Sequence, residues 1–391
     1  MKLHIRRSRR PKSFPSCLLY VFALLSLAGV FSISFIDHAL SLKLFSRTVY
    51  ADSPFLENPS AVFLPPPLQC QSQPPVPSTI DSSSNCPVPL SSLSSPKDAY
   101  ISVLDRSNQP ICYTYYLLQS YNKLFQSGKT NASFYLLLDS MYSNSTFPLF
   151  FDYLSELNII PIIYEFDSIM LGSIVNTRFA ILSKFIDDYS SSLDRLWFVD
   201  VRDTILQQDV FSFLSHDPNT AFVSYEGCYG EHTHRSRPLY RDLHKWYGEE
   251  IANVLRNNSV INGGQLGGSA VGVQKVCNIM RQEFERVSDV NNPWLLDQSA
   301  LNYLYYSQIF KCKGVNVVPL TVYNAALGIV QCWKVSVNKE GTIVSDRGCP
   351  LTVVHWFDRV LEVKTFVDAT LGTCRDYFIK IEKQKLLKQH S

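Results

Sequence analysis

Two acids stand three residues apart where an apolar run stops, in Leu196-Trp-Phe-Val-Asp-Val-Arg-Asp203. The run reads as a buried strand over 195–201, so Asp200 and Asp203 emerge at its carboxyl end. In open α/β sheets that is the edge where ligands bind. Carboxylates placed there suit a hard divalent cation, and such a cation in turn holds a diphosphate. The competing reading is local: Asp200 caps the next segment, and Asp203 pairs with Arg202 or with solvent.

Three further stretches carry groups of the same kind. Asn262-Gly-Gly-Gln-Leu-Gly-Gly268 reads as a loop before a helix over 271–287. Small residues there let backbone approach a ligand, and the helix start beyond offers free amides. It is not the P-loop pattern, and a tight turn explains it equally well. Asp297-Gln-Ser-Ala-Leu-Asn302 opens a helix that runs to about residue 306, where an acid is also favoured by the helix dipole alone. His355 ends a short apolar strand in Val353-Val-His-Trp-Phe-Asp-Arg359. A lone histidine is commonly structural, and this one matters only if distant carboxylates share a cation with it. His232 and His234 lie in a polar loop with Arg235 and Arg237, which favours solvent or an acidic substrate group over a metal. No Gly-x-Ser-x-Gly, His-Glu-x-x-His or Gly-x-Gly-x-x-Gly is present, so hydrolase-elbow, zincin and dinucleotide readings lack their local signals.

The elements that must position these groups alternate. Strands are expected over 99–104, 133–138, 159–164, 195–201 and 221–225, and helices over 111–125, 149–157 and 177–189. The last carries Arg178 and an apolar stripe of Phe179, Ile181, Leu182, Phe185 and Ile186. Strands separated by helices predict an α/β fold with a mainly parallel sheet covered on both faces. A composition of 46% hydrophobic and 18% charged residues, with 21 Tyr and 24 Phe, supports a large core.

The amino-terminal part differs. Lys2, Arg6, Arg7, Arg9, Arg10 and Lys12 precede an uncharged run from Ser13 to Ile36. That run approaches the ~20 residues a helix needs to cross a bilayer, and the basic flank belongs on the cytoplasmic side. A cleaved signal peptide is the alternative. The expected organisation is a cytoplasmic tail over 1–15, a signal anchor over 16–36, a stem over 37–97 and a lumenal domain over 98–391. The stem holds 11 of the 21 prolines, with serine clusters between them. Removing the six basic residues of the tail from the 36 Lys and Arg leaves 30 against 34 Asp and Glu, a net of −4. A mildly acidic domain of this kind argues against nucleic acid as a partner.

Nine of the ten cysteines lie after the span, in no Cys-x-x-Cys. Cys332 and Cys349 flank a hairpin expected over 334–344 and suggest a disulfide, while Cys70 and Cys86 can pair within the stem or between chains. Asn131, Asn144 and Asn257 begin glycosylation sequons, as expected for passage through the secretory pathway.

In this order, the anchor, the stem, Phe-Val-Asp-x-x-Asp, Asn-Gly-Gly, Asp-Gln…Asn and a late Val-His resemble Golgi glycosyltransferases of the GT-A fold, in pattern the glycogenin-like nucleotide-sugar transferases. The resemblance spans roughly Asp98 to Asp358 and implies that the α/β fold is Rossmann-like. It implies that Asp200, Asp203 and His355 hold Mn2+ or Mg2+ and that Gly263 and Gly264, with Asn262, line the sugar site. It also implies that Arg178 approaches the donor and that Asp297 and Gln298 meet the transferring sugar or the acceptor, Asp297 being a candidate base. The expected partners are a UDP- or GDP-sugar and a glycan or glycoprotein acceptor, in the Golgi or ER, with retention of configuration the leaning of the family. One departure stands out: the family has Asp-x-Asp, whereas here the second acid comes one residue later. Either the strand end bulges so that Asp203 reaches the cation, or Arg202 takes part of the diphosphate charge. The alternative function is an inactive carbohydrate-binding or scaffold protein on the same fold, and a secreted metal hydrolase is a weaker third.

Overall fold

All six residues of Ala99–Leu104 are buried, and they form strand β1, against which the sheet is laid. The computed structural model describes Cys86, Pro87, Pro89 and residues 93–104, 106–169, 173–226, 238–255, 258–287, 296–320, 327–329 and 334–389. These all belong to one unit, Leu64–Ser391. Strands β2 (Ser133–Asp139) and β4 (Arg195–Val199) flank β1 in parallel, and β3 (Ile159–Tyr164) closes that edge beside β2. Beyond β4 come β7 (Ile261–Ser269), β6 (Thr220–Tyr225) and β8 (Asn316–Leu320), giving the order β3-β2-β1-β4-β7-β6-β8. Only the two pairings of β7 are antiparallel, so β6 runs in the direction of β4 and both end at the same edge. The chain is thus α/β with a mainly parallel mixed sheet, as the alternation predicts.

Period-2 patterning divides β4 between two cores. Leu196 and Phe198 enter the core shared with helices α3 (Ile174–Tyr189), α5 (Ala270–Val287) and α6 (Leu296–Tyr306). Trp197 and Val199 enter the other, shared with α1 (Pro110–Gln126) and α2 (Pro148–Glu156). Each full burial of such a side chain contributes about 1.5–3 kcal/mol. Both α1 and α2 start on proline, whose fixed φ and missing donor suit a first helical turn. Helix α4 (Pro238–Leu255) and the short α7 (Ile309–Cys312) lie to either side of α5 and α6 in the chain. A small sheet, β5-β12-β9 (Thr204–Leu206, Val353–His355, Leu327–Ile329), follows the end of β4. The hairpin expected over 334–344 is present as β10 (Val335–Val337) and β11 (Ile343–Ser345), and α8 (Leu361–Leu371) and α9 (Cys374–Gln389) end the fold.

Two expectations are corrected. The glycine-rich stretch at 262–268 is not a loop but most of β7, buried throughout and central in the sheet. Glycine normally weakens a strand, and its use inside one marks a close approach. Gly267 faces Trp197 in register, and a Cβ there would lie 2.0 Å from the indole and 2.8 Å from the carbonyl of Leu196. The indole occupies the space the missing side chain leaves. Gly267→Ala is therefore expected to destabilise the fold by about 2–3 kcal/mol, measured by denaturant unfolding. The second correction concerns Cys349, which bonds to Cys86 and not to Cys332, so Cys86 is not paired with Cys70. Cys112 bonds to Cys374, Cys312 is also in a disulfide, and Cys277 is free and buried.

Asn131 and Asn144 are exposed, as acceptors must be. Asn257, His232, His234 and the anchor fall outside the described residues. Among the described residues no helix is long and apolar enough to cross a membrane. Ser94, ahead of the expected domain start, is buried against the fold, its amide donating to Asp209.

Candidate metal centre

Asp200 continues the pleat of β4. Its amide donates to the carbonyl of Gly264 (2.9 Å), one step beyond the last ladder pair. The alternation Leu196, Phe198, Asp200 turns its carboxylate to the face covered by α3. There Arg178 meets it, Nη1 to Oδ1 at 2.5 Å. The chain then bends through Val201–Asp203 and enters β5, whose Thr204 lies opposite His355 of β12. The bend sets Asp203 beside the imidazole, Oδ1 to Nε2 at 3.1 Å, and the amide of Trp356 donates to the Asp203 carbonyl (2.7 Å). Nε2 is also 3.5 Å from Oδ2 of Asp200. Of the two ways to accommodate the longer Asp-x-x-Asp spacing, the geometry has the strand end deviate so that the second acid turns inward.

One ligand atom from each of Asp200, Asp203 and His355 can be chosen so that all three lie within 4.8 Å of one another. His355 is only 1% exposed. Gly264 forms the adjoining wall: a Cβ on it would stand 2.3 Å from Oδ2 of Asp200 and 2.7 Å from Cε1 of His355. Two carboxylates and one imidazole around a point that the backbone leaves clear make a donor set able to hold a divalent cation.

The charges are strongly coupled. Burial pushes the Asp200 carboxyl up, but Arg178 and His355 outweigh it and hold the group down at about 2. Burial lowers His355, yet its hydrogen bonds to Asp200 and Asp203 raise it to about 9. Burial likewise raises Asp297, against the opposing pull of Arg178.

The remaining expected residues fall into two groups. Asp297, 3% exposed at the start of α6, binds Nη2 of Arg178, which also donates to the carbonyl of Gly263 (2.7 Å). Asn262 accepts from the Gly264 amide (2.7 Å) and donates to Glu226 (3.4 Å). Gln298 donates to the same Glu226 carboxylate at 2.6 Å. Arg202, exposed, points elsewhere: with Ser107, Tyr113, Tyr116, Phe357 and Lys364 it lines a pocket of about 480 Å³, a volume suited to a small molecule.

Glu226 was not singled out from the sequence. It is 2% exposed and follows β6 as Asp200 follows β4, so reading the residue after each strand end would have found it. The pocket residues on the β1–α1 connection were missed for the same reason.

No protein-family model matches this chain, and no curated protein matches it in sequence.

Proposed function

We propose that the chain is a divalent-metal-dependent glycosyltransferase of the GT-A type, moving a sugar from a nucleoside diphosphate donor to a glycan or glycoprotein. The observation that carries this reading is the meeting of Asp200, Asp203 and His355 at the carboxyl edge of a mainly parallel sheet. The mixed oxygen and nitrogen donors suit Mn2+, with Mg2+ the harder alternative. A cation held there supplies positive charge to the leaving diphosphate.

The chain's own residues divide the remaining work. Arg202 lies between the two acids in sequence and Phe357 follows His355 by two residues, so the pocket they line is next to the cluster along the chain, although none of the three candidate ligands lines it. Arg202 brings positive charge to its wall, fit for phosphate oxygens, while Lys364 is paired with Asp368 and Asp358 adds an acid to the same lining. Tyr113 and Tyr116 supply flat apolar faces of the kind a nucleobase stacks on, with the buried Phe357 packed edge-on behind Tyr116. Arg178 fixes Asp200, and the Asn262–Glu226–Gln298 hydrogen bonds fix the neighbouring wall. The disulfides and the exposed Asn131 and Asn144 support an oxidising, lumenal setting, with the segment at 16–36 as anchor.

The test is a thermal-shift screen of nucleotide sugars against the full-length protein with and without Mn2+. Stabilisation by one UDP- or GDP-sugar only when Mn2+ is present is the expected result. The absence of any nucleotide binding would favour the scaffold alternative.

A pH dependence follows from His355. Its proton must leave for the ring to bind a cation. With the metal-free group at about 9, the apparent affinity for Mn2+ is expected to rise by about tenfold per pH unit between pH 6 and 8, measured by titration calorimetry. Stability of the metal-free protein runs the other way. The folded value exceeds the unfolded 6.5, so the stabilisation is complete below pH 6.5 and is lost as pH rises through about 9.

A further inference from the structure

Asp297 has the chemistry of a general base but not the placement. A base needs its carboxylate turned to the acceptor hydroxyl. Here the side chain is almost wholly enclosed, and its Oδ2 is bound to Nη2 of Arg178. The same guanidinium reaches Oδ1 of Asp200 through Nη1 at 2.5 Å and the Gly263 carbonyl through Nη2 at 2.7 Å. Arg178 is itself only 8% exposed and sits against the rings of Phe179 and Phe198, each 5.5 Å from its central carbon. One planar cation is therefore shared between two carboxylates in a nearly dry place.

The charge count gives this sharing a purpose. With Arg178 and Asp200 alone the guanidinium would cancel the carboxylate that faces the cluster. Asp297 adds a second negative charge behind the arginine. Asp200, Asp203 and Asp297 against Arg178 sum to a formal −2, the complement of a divalent cation beside a neutral imidazole. The fork geometry also fixes the direction of the Asp200 carboxylate, which a point charge would not do.

We propose that Asp297 is a positioning residue that acts through Arg178, holding Asp200 oriented and the net charge around it negative for a divalent cation, and that it is not the base. This rests on the metal centre of the proposed function but not on sugar transfer.

A double-mutant cycle read by Mn2+ binding to the full-length protein tests it, with folding checked by circular dichroism. Asp297→Asn is expected to weaken Mn2+ binding by about tenfold in the wild-type background and by less than about twofold in an Arg178→Gln background, because a contact that acts through its neighbour is non-additive with it. Equal loss in both backgrounds overturns the proposal. So does unchanged Mn2+ affinity accompanied by a fall in kcat and loss of the acidic limb of the pH–rate profile, which is the signature of a base. Should Asp297→Asn not fold, Arg178→Lys puts the same question, since lysine offers a single point charge in place of the fork. A similar loss of affinity supports the relay, and unchanged affinity overturns it. Wild-type protein that binds Mn2+ yet transfers no sugar sinks the transferase reading alone, whereas wild-type protein that binds no Mn2+ sinks both.

Discussion

Asp203→Asn is expected to lower the rate of sugar transfer by at least about 100-fold and to weaken Mn2+ binding by a similar factor, while leaving the fold intact. The substitution keeps the shape of a side chain whose Oδ1 lies 3.1 Å from Nε2 of His355. It replaces a charged oxygen by an amide, a poor donor to a hard cation. The bend itself does not depend on the carboxylate, because the Trp356 amide bonds to the backbone carbonyl of residue 203. Activity assays, Mn2+ titration and a thermal melt are the three measurements. A melt shifted by only a few degrees with activity nearly gone is the expected combination, and near-normal activity removes Asp203 from the metal centre.

Gly264→Ala should damage the same site from the opposite wall. The added methyl would meet the far ends of Asp200 and His355, at 2.3 and 2.7 Å, so these side chains must give way. Both are candidate ligands, and moving either dismantles the donor set. The expected loss is more than about tenfold in Mn2+ affinity, with a stability cost of about 1–2 kcal/mol. Gly267→Ala, three residues along the strand, meets a ring and a backbone carbonyl instead. The two variants should therefore rank in opposite order, Gly264→Ala worse for metal binding and Gly267→Ala worse for unfolding. Identical ranking in both assays would mean that β7 responds as a whole and that Gly264 has no particular tie to the cluster.

The sequence revealed the sheet's leading half well, for a physical reason. Ala99–Leu104 is a nearly continuous apolar run, as buried parallel strands are written, and Ile159–Tyr164 shows the same kind of run although at the sheet edge Ile160 and Ile163 are exposed. The carboxyl-edge rule then pointed to Asp200 and Asp203. Strand β7 was illegible because its composition answers to neighbours and not to its own backbone: Gly267 makes sense only once Trp197 is opposite it, and Gly264 only once Asp200 and His355 are in place. The disulfides were illegible for a related reason. Proximity in the chain favoured Cys332 for Cys349, whereas the fold brings in Cys86 from 263 residues away. The bidentate role of Arg178 also had no local signal, since its two acids come from a strand end and from a helix 119 residues later.

The Cys86–Cys349 and Cys112–Cys374 disulfides have an effect on the order in which the protein matures. Cys349 and Cys374 enclose the stretch that carries His355, Phe357 and Lys364, and each cysteine is bonded to the amino-terminal side of the fold, at Cys86 and Cys112. During synthesis the last strand of the central sheet, β8, is made before this stretch. The third candidate ligand and one pocket wall thus arrive last and are riveted at both ends only when thiols are oxidised. A chain made in a reducing cytosol would be a nearly finished body with an unfinished mouth.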